Sequence, residues 1–310
     1  DSDSDNDRID DGTELAPYVT HNEDGAVSSQ IRLLEDLNGP KSVKFDSGRN
    51  IYFIDGGAIK KLASGYDKTD QPAKNAPTTI ASVSGVLDLA IYQDFIYYLT
   101  QTELKRMKTD GTGSITVKGL TNGKLLDIDS SGTLYFVDEK DGADRLFKKA
   151  QGAETATEII TADFAIQCFA IDASGNIIYV EGTHLRLLKT GYSETAPDDN
   201  NDNALELYTV SSPGSLDTDS SGNIYFNDGA TLKMLSADYD TVYPIDNSLN
   251  VIEIQTSAAD PSGLVSSPGS DLYYTVSTQN AKTLEFMPLA RTDLTKPDSD
   301  GDGLLDGFGI

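Results

Sequence analysis

One pattern recurs along this chain and leaves few folds open. Its clearest copy runs Val43-Lys44-Phe45-Asp46-Ser47-Gly48-Arg49-Asn50-Ile51-Tyr52-Phe53-Ile54-Asp55, followed by Ala58-Ile59-Lys60-Lys61-Leu62. It returns around Asp127-Ile128-Asp129-Ser130-Ser131-Gly132-Thr133-Leu134-Tyr135, around Asp172-Ala173-Ser174-Gly175-Asn176-Ile177-Ile178, and around Asp217-Thr218-Asp219-Ser220-Ser221-Gly222-Asn223-Ile224-Tyr225. Weaker copies centre on Ile96-Tyr97-Tyr98 and Leu272-Tyr273-Tyr274. The equivalent positions Tyr52, Tyr97, Tyr135, Ile178, Tyr225 and Tyr273 are 45, 38, 43, 47 and 48 residues apart. Units of that length cannot each bury an apolar face alone and must stack on their neighbours.

Each unit reads as short β segments. An apolar run ends in an Asp-x-x-Gly or Ser-Gly turn, an aromatic and β-branched strand follows, and then a Lys-rich amphipathic one. A fourth, outer strand follows in five units, at 78–83, 114–117, 157–160, 205–210 and 251–255. The sixth unit lacks its outer strand, and Ser29–Glu35 has the right alternation to supply it from the other end of the chain. The expected fold is all-β, a six-bladed β-propeller over residues 15–294, with the segment 29–35 closing the last blade so that no sheet edge stays open. A sandwich pair or a β-solenoid is the competing architecture. The repeats resemble the NHL and YWTD-like propeller group, which implies the same fold without choosing between an enzyme and a binding module.

The two ends have a different character. Asp3, Asp5 and Asp7 alternate, with Ile9, Asp11 and Glu14 after them; Asp298, Asp300 and Asp302 alternate, with Leu304 and Asp306 after them. A calcium loop draws ligands from positions 1, 3, 5, 7, 9 and 12, using a backbone carbonyl at position 7, so an apolar residue is tolerated there. Counted this way the first loop has its full set. The second has Gly309 at position 12 and no carboxylate to give. Solvated acidic tails are the alternative, because runs of like charge often stay unfolded. Residues 1–14 and 295–310 are similar to thrombospondin type 3 calcium repeats, which implies Ca²⁺ ligation and a secreted or cell-surface location.

A net charge of −26 excludes phosphate backbones, and hence nucleic acid, as a partner. No apolar run reaches the roughly 20 residues that span a bilayer. The single cysteine, Cys168, lies in an apolar run and reads as a buried thiol. Of the two histidines, His21 falls before the closing strand and His184 in a hairpin aligned with Ala58 and Thr231; both read as solvated turn residues. The acidic stretch Asp198–Asn203 has no regular ligand spacing and reads as a solvated insertion.

One inner-strand position is more pointed. Asp127 and Asp217 share it, Lys44, Ala170 and Val265 hold it in other blades, and Asp88 joins if one residue is inserted in its blade's turn. Three carboxylates and a lysine would then converge on the channel, where they could hold a cation or simply satisfy one another. Asp46, Asp129, Asp172 and Asp219 read as turn formers. Two functions follow. In the first, the chain is a secreted, calcium-binding interaction module that joins other copies of itself or neighbouring domains, head to tail into filaments. In the second, it is a secreted hydrolase, lactonase or carbohydrate-active enzyme with a metal in the channel.

Overall fold

The computed structural model describes residues 31–287, apart from 192–202, 238, 240, 242–244, 246, 249, 257–260, 268–270 and 279–281. The strand β1 (Ile31–Leu34) comes first. Blade one is β2 (Lys41–Phe45), β3 (Ile51–Asp55), β4 (Ala58–Leu62) and β5 (Thr78–Ser82). Blade two is β6 (Asp88–Tyr92), β7 (Phe95–Leu99), β8 (Glu103–Lys108) and β9 (Ile115–Gly119), and blade three is β10 (Leu125–Ile128), β11 (Leu134–Lys140), β12 (Ala143–Lys149) and β13 (Thr157–Thr161). Blade four is β14 (Ile166–Ile171), β15 (Ile177–Glu181), β16 (His184–Leu188) and β17 (Ala204–Thr209); blade five is β18 (Pro213–Thr218), β19 (Ile224–Asp228), β20 (Thr231–Leu235) and β21 (Val251–Thr256). Blade six has β22 (Pro261–Ser266), β23 (Leu272–Ser277) and β24 (Lys282–Met287), and its outer strand is β1. The fold is a six-bladed β-propeller.

The closing strand lies where the sequence places it. Ile31 opposes Phe286 and Arg32 opposes Glu285 in antiparallel register, so β24 has a neighbour on each side and offers no open edge. Leu33 is fully buried and Leu34 nearly so.

The repeated residues form one hydrogen-bonded unit. Asp46 accepts the Asn50 backbone N–H at 2.9 Å, the Asn50 side-chain amide at 2.7 Å and the Tyr52 hydroxyl at 3.1 Å. Asn50 Oδ1 then accepts the Ser64 N–H at 2.9 Å, which fastens the turn to the chain leaving β4. Asp219, Asn223 and Tyr225 repeat this in blade five, and Asp172 with Asn176 in blade four. The turn aspartates therefore also satisfy the hydroxyls of tyrosines whose rings are buried, which an apolar surround requires.

A second device repeats on the opposite face. On the second strand, the acid three residues after the repeat position accepts backbone N–H groups of the loop entering its blade. Asp55 holds Asn38, Asp138 holds Thr121 and Asn122, Glu181 holds Asp163 and Phe164, and Asp228 holds Ser211 and Ser212. Much of the acidity of the body thus serves to fix loops.

Apolar side chains gather between sheets, not within one. Tyr52, Ile54 and Ile59 of blade one pack with Leu89, Ile96, Tyr98 and Met107 of blade two, and comparable clusters fill the other five junctions, including the one between blades six and one. At that last junction Gly263 stands at φ +58°, and a Cβ there would come within 2.6 Å of the Ser42 backbone nitrogen. Gly263→Ala is expected to cost roughly 2–4 kcal/mol, from the left-handed backbone and the contact together. A denaturant midpoint unchanged from the parent would refute this. No helix among the described residues is long and apolar enough to cross a membrane.

Candidate functional site

The inner strands bring six residues to one level around the axis. Lys44, Asp127, Ala170, Asp217 and Val265 pair with Tyr52, Tyr135, Ile178, Tyr225 and Tyr273 of the next strand, as the repeat requires. In blade two that level belongs to Ala90, which opposes Tyr97. The expectation of an inserted residue is corrected here. Tyr92 pairs with Phe95 around a two-residue turn, so this hairpin is one residue shorter than the Asp-containing turns, and Asp88 sits two residues earlier on the same face. Blades one, three and five therefore present Lys44, Asp127 and Asp217, while blades two, four and six present Ala90, Ala170 and Val265. Asp88 reaches the group from the adjoining pleat.

Each carboxylate also stitches its blade to another. Asp88 Oδ2 accepts the Leu126 N–H at 2.8 Å, Asp127 Oδ2 the Ile171 N–H at 3.1 Å, and Asp217 Oδ2 the Ser266 N–H at 2.6 Å. On its other oxygen Asp88 accepts the Ser42 hydroxyl, and that hydroxyl in turn accepts the Leu89 N–H at 3.1 Å. Lys44 Nζ donates to Asp127 Oδ1 at 3.2 Å, and these two side chains keep 22% and 13% of their surface open.

The electrostatics follow from this crowding. Burial disfavours the Lys44 ammonium, but Asp127, Asp217 and Asp88 together outweigh it and hold its pKa above the ordinary lysine value. Burial pushes the Asp217 carboxyl up to about 6; Lys44 pulls the other way without cancelling the effect, and Asp127 adds to it. Burial likewise raises Asp88, against the pull of Lys44.

The site does not fit a divalent metal. The central cation is the ammonium of Lys44, and one oxygen of each of the three acids is already committed to a backbone N–H. Among the described residues no three His, Cys, Asp or Glu side chains stand together as a ligand set. The sequence expectation of converging acids and a lysine holds, and of its two alternatives the geometry favours the one in which these groups satisfy one another.

The other candidates divide clearly. His184 is a strand residue, not a solvated turn: it opens β16, and its Nδ1 lies 3.0 Å from Glu206 Oε1. Its alignment with Ala58 and Thr231 at the start of their strands is correct. Cys168 is buried, and burial pushes its thiol up to about 12, so it is inert at neutral pH. His21, residues 198–202, and the proposed calcium ligands Asp3, Asp5, Asp7, Ile9, Asp11, Glu14, Asp298, Asp300, Asp302, Leu304 and Asp306 lie outside the described residues.

Sequence reasoning missed a second feature, a cavity of about 250 Å³ off the axis at the junction of blades six and one. It is lined by Phe45, Arg49, Tyr66, Lys68, Asp271 and Tyr273, among others. One signal was available. Arg49 stands where three other copies have Gly132, Gly175 and Gly222.

No family model matches the sequence, and no curated protein matches it. Solved structures share the fold. A carbohydrate-active enzyme of family AA12 from Trichoderma reesei superposes with a TM-score of 0.66 at 15% identity, over 88% of this chain and 98% of that one. A gluconolactonase from Xanthomonas campestris gives 0.65 at 10% identity, over 87% and 94%. A chain of a nidogen/laminin complex gives 0.54 at 16% identity, over 65% and 77%. At these identities the likeness is one of fold alone.

Proposed function

We propose that this propeller opens a lactone or a related sugar ester at its axis, with Asp217 as general base and Lys44 as the electrostatic partner. The observation that carries this reading is the Asp217 carboxyl, whose pKa of about 6 lies close to neutral pH in a site shared with a fixed ammonium. Ionised Asp217 takes a proton from water as that water adds to the ester carbonyl. The Lys44 ammonium faces the negative charge that develops on the carbonyl oxygen. When the C–O bond breaks, the proton on Asp217 passes to the departing alkoxide, and a carboxylic acid and an alcohol result. The gluconolactonase and sugar-enzyme neighbours support the reading by fold only.

The test is a pH-stat assay with glucono-1,5-lactone, corrected for spontaneous opening. The base form of Asp217 exists above its pKa, so the catalysed rate should rise between about pH 5 and 7. Asp217→Asn keeps an oxygen to accept the Ser266 N–H and should lower kcat/KM by about 10²-fold or more. No acceleration by the parent protein, or full activity in the variant, would sink the reading.

A second reading rests on a separate observation. β1 and β24 are antiparallel neighbours, so the segments before Ile31 and after Met287 both leave from the outer part of blade six. Two calcium loops on such segments would act as paired connectors on a rigid disc, in an extracellular or cell-surface setting. The loop lacking a position-12 carboxylate would take its missing ligand from another copy. Light scattering of the full chain with CaCl₂ and then a chelator should show a reversible increase in size. An unchanged monomer throughout would remove this reading.

A further inference from the structure

The cavity between blades six and one breaks the repeat at two positions at once. In blade six the place of the turn aspartate is taken by Ser267, two residues after Val265 as Asp46 is two after Lys44. Tyr273 therefore has no repeat aspartate for its hydroxyl and accepts instead from the Tyr66 hydroxyl at 2.9 Å. In blade one the turn glycine is replaced by Arg49, at φ +61°. Gly132, Gly175 and Gly222 hold the same place at φ +84°, +78° and +91°. A left-handed backbone suits glycine and burdens an arginine, and Gly48 is only one residue away. A left-handed arginine on a cavity wall, where three other copies of the same turn keep glycine, points to use.

The charges point the same way. Lys68 Nζ lies 4.1 Å from the Phe286 ring centroid and 3.9 Å from Asp271 Oδ2. Burial lowers the Lys68 pKa, Asp271 offsets this in part, and the nearby Arg49 guanidinium lowers it further. Two cations thus share a small cavity with one acid, on a chain whose net charge is −26. Phe45 and Tyr273 meet edge to face at 4.8 Å and Tyr66 meets Tyr273 at 6.4 Å, which gives the cavity aromatic walls. The loop carrying Tyr66 and Lys68 is braced by buried Asn75, whose amide donates to Leu33 O of the closing strand and to Asp67 O, each at 2.9 Å. The cavity is thus preformed, and its volume lies just under the range of about 300–1,000 Å³ typical of drug-sized ligands.

We infer that this cavity binds a single carboxylate-bearing sugar ring, a hexuronic acid, with Arg49 and Lys68 on the carboxylate and the tyrosine hydroxyls and Asp271 on the ring hydroxyls. Planar guanidinium matches carboxylate in two parallel hydrogen bonds, and aromatic walls suit the apolar faces of a pyranose. The site lies off the axis and does not depend on the lactone reading.

Isothermal titration of the whole chain with D-glucuronate, D-glucose and sulfate tests it. Glucuronate should bind with a Kd below about 1 mM, at least ten times tighter than glucose or sulfate. Arg49→Gly should weaken glucuronate binding tenfold or more, while Tm stays level or rises by about 2 °C as the backbone strain is relieved. Asp217→Asn should leave the binding unchanged. No heat with glucuronate, equal affinity for glucose or for sulfate, or full binding by Arg49→Gly overturns the proposal.

Discussion

Lys44→Met is expected to destabilise the protein by roughly 3–5 kcal/mol at pH 8, because it removes a cation on which Asp88, Asp127 and Asp217 all act. Methionine fills a similar volume, so the loss reports charge more than packing. Its pH dependence is the sharper test. Asp217 already has a raised pKa in the folded protein, near 6, against an ordinary carboxyl value near 4 when unfolded. A group raised on folding contributes stability that is present below its unfolded pKa and is lost as pH rises through its folded one. Without Lys44, the influence that pulls Asp217 down is gone, so its pKa rises further and the loss extends to higher pH. Thermal unfolding of parent and variant should therefore diverge as pH goes from about 5 to 8 and draw together on acidification. A gap in Tm that stays constant across that window would show that the carboxylates do not respond to Lys44.

Leu33→Asp is expected to open the ring. Leu33 is fully buried in the cluster that joins blades six and one, with Phe53, Leu62, Leu284 and Phe286. A carboxylate there has apolar neighbours, and an unpaired charge in such surroundings costs several kcal/mol at least. That is a large share of the roughly 5–15 kcal/mol that holds a typical domain together. Releasing β1 also uncovers β24, whose unpaired N–H and C=O groups can recruit another chain. The expected signs are a fall in Tm of several degrees or more and higher-order species in size-exclusion chromatography. A monomer with the parent's Tm would mean that closure by β1 contributes little.

The features behind these two predictions are legible in the sequence to different depths. The closing strand is plain, because five outer strands serve six units and Ser29–Glu35 has the missing alternation. The axial level is plain in five blades, since Lys44, Asp127, Ala170, Asp217 and Val265 keep a constant relation to the following aromatic or aliphatic strand residue. It slips in blade two, because a hairpin can trade one turn length for another, and nothing in Gln93-Asp94 announces which. That change moves Asp88 by a pleat and puts Ala90 in its place. The turn aspartates are legible as turn formers but not as partners of buried tyrosine hydroxyls, which needs the strand register. His184 reads as a turn residue in the sequence only because its hairpin turn ends one residue before it.

The sequence by itself determined the number of blades, the strand that closes them, and most of the residues that line the axis, because all three follow from a repeat whose period and alternation are local properties of the chain. Only the tertiary structure decided what the axial acids do and where the second site lies. Each carboxylate finds its backbone N–H in a different blade, and Lys44 supplies the positive charge among them. The cavity joins Arg49, Tyr66 and Lys68 to Asp271 and Tyr273, with Tyr66 and Tyr273 separated by 207 residues. Those residues meet because the ring closes, and which side chains face one another across that seam depends on contacts between distant parts of the chain that the repeat period does not specify.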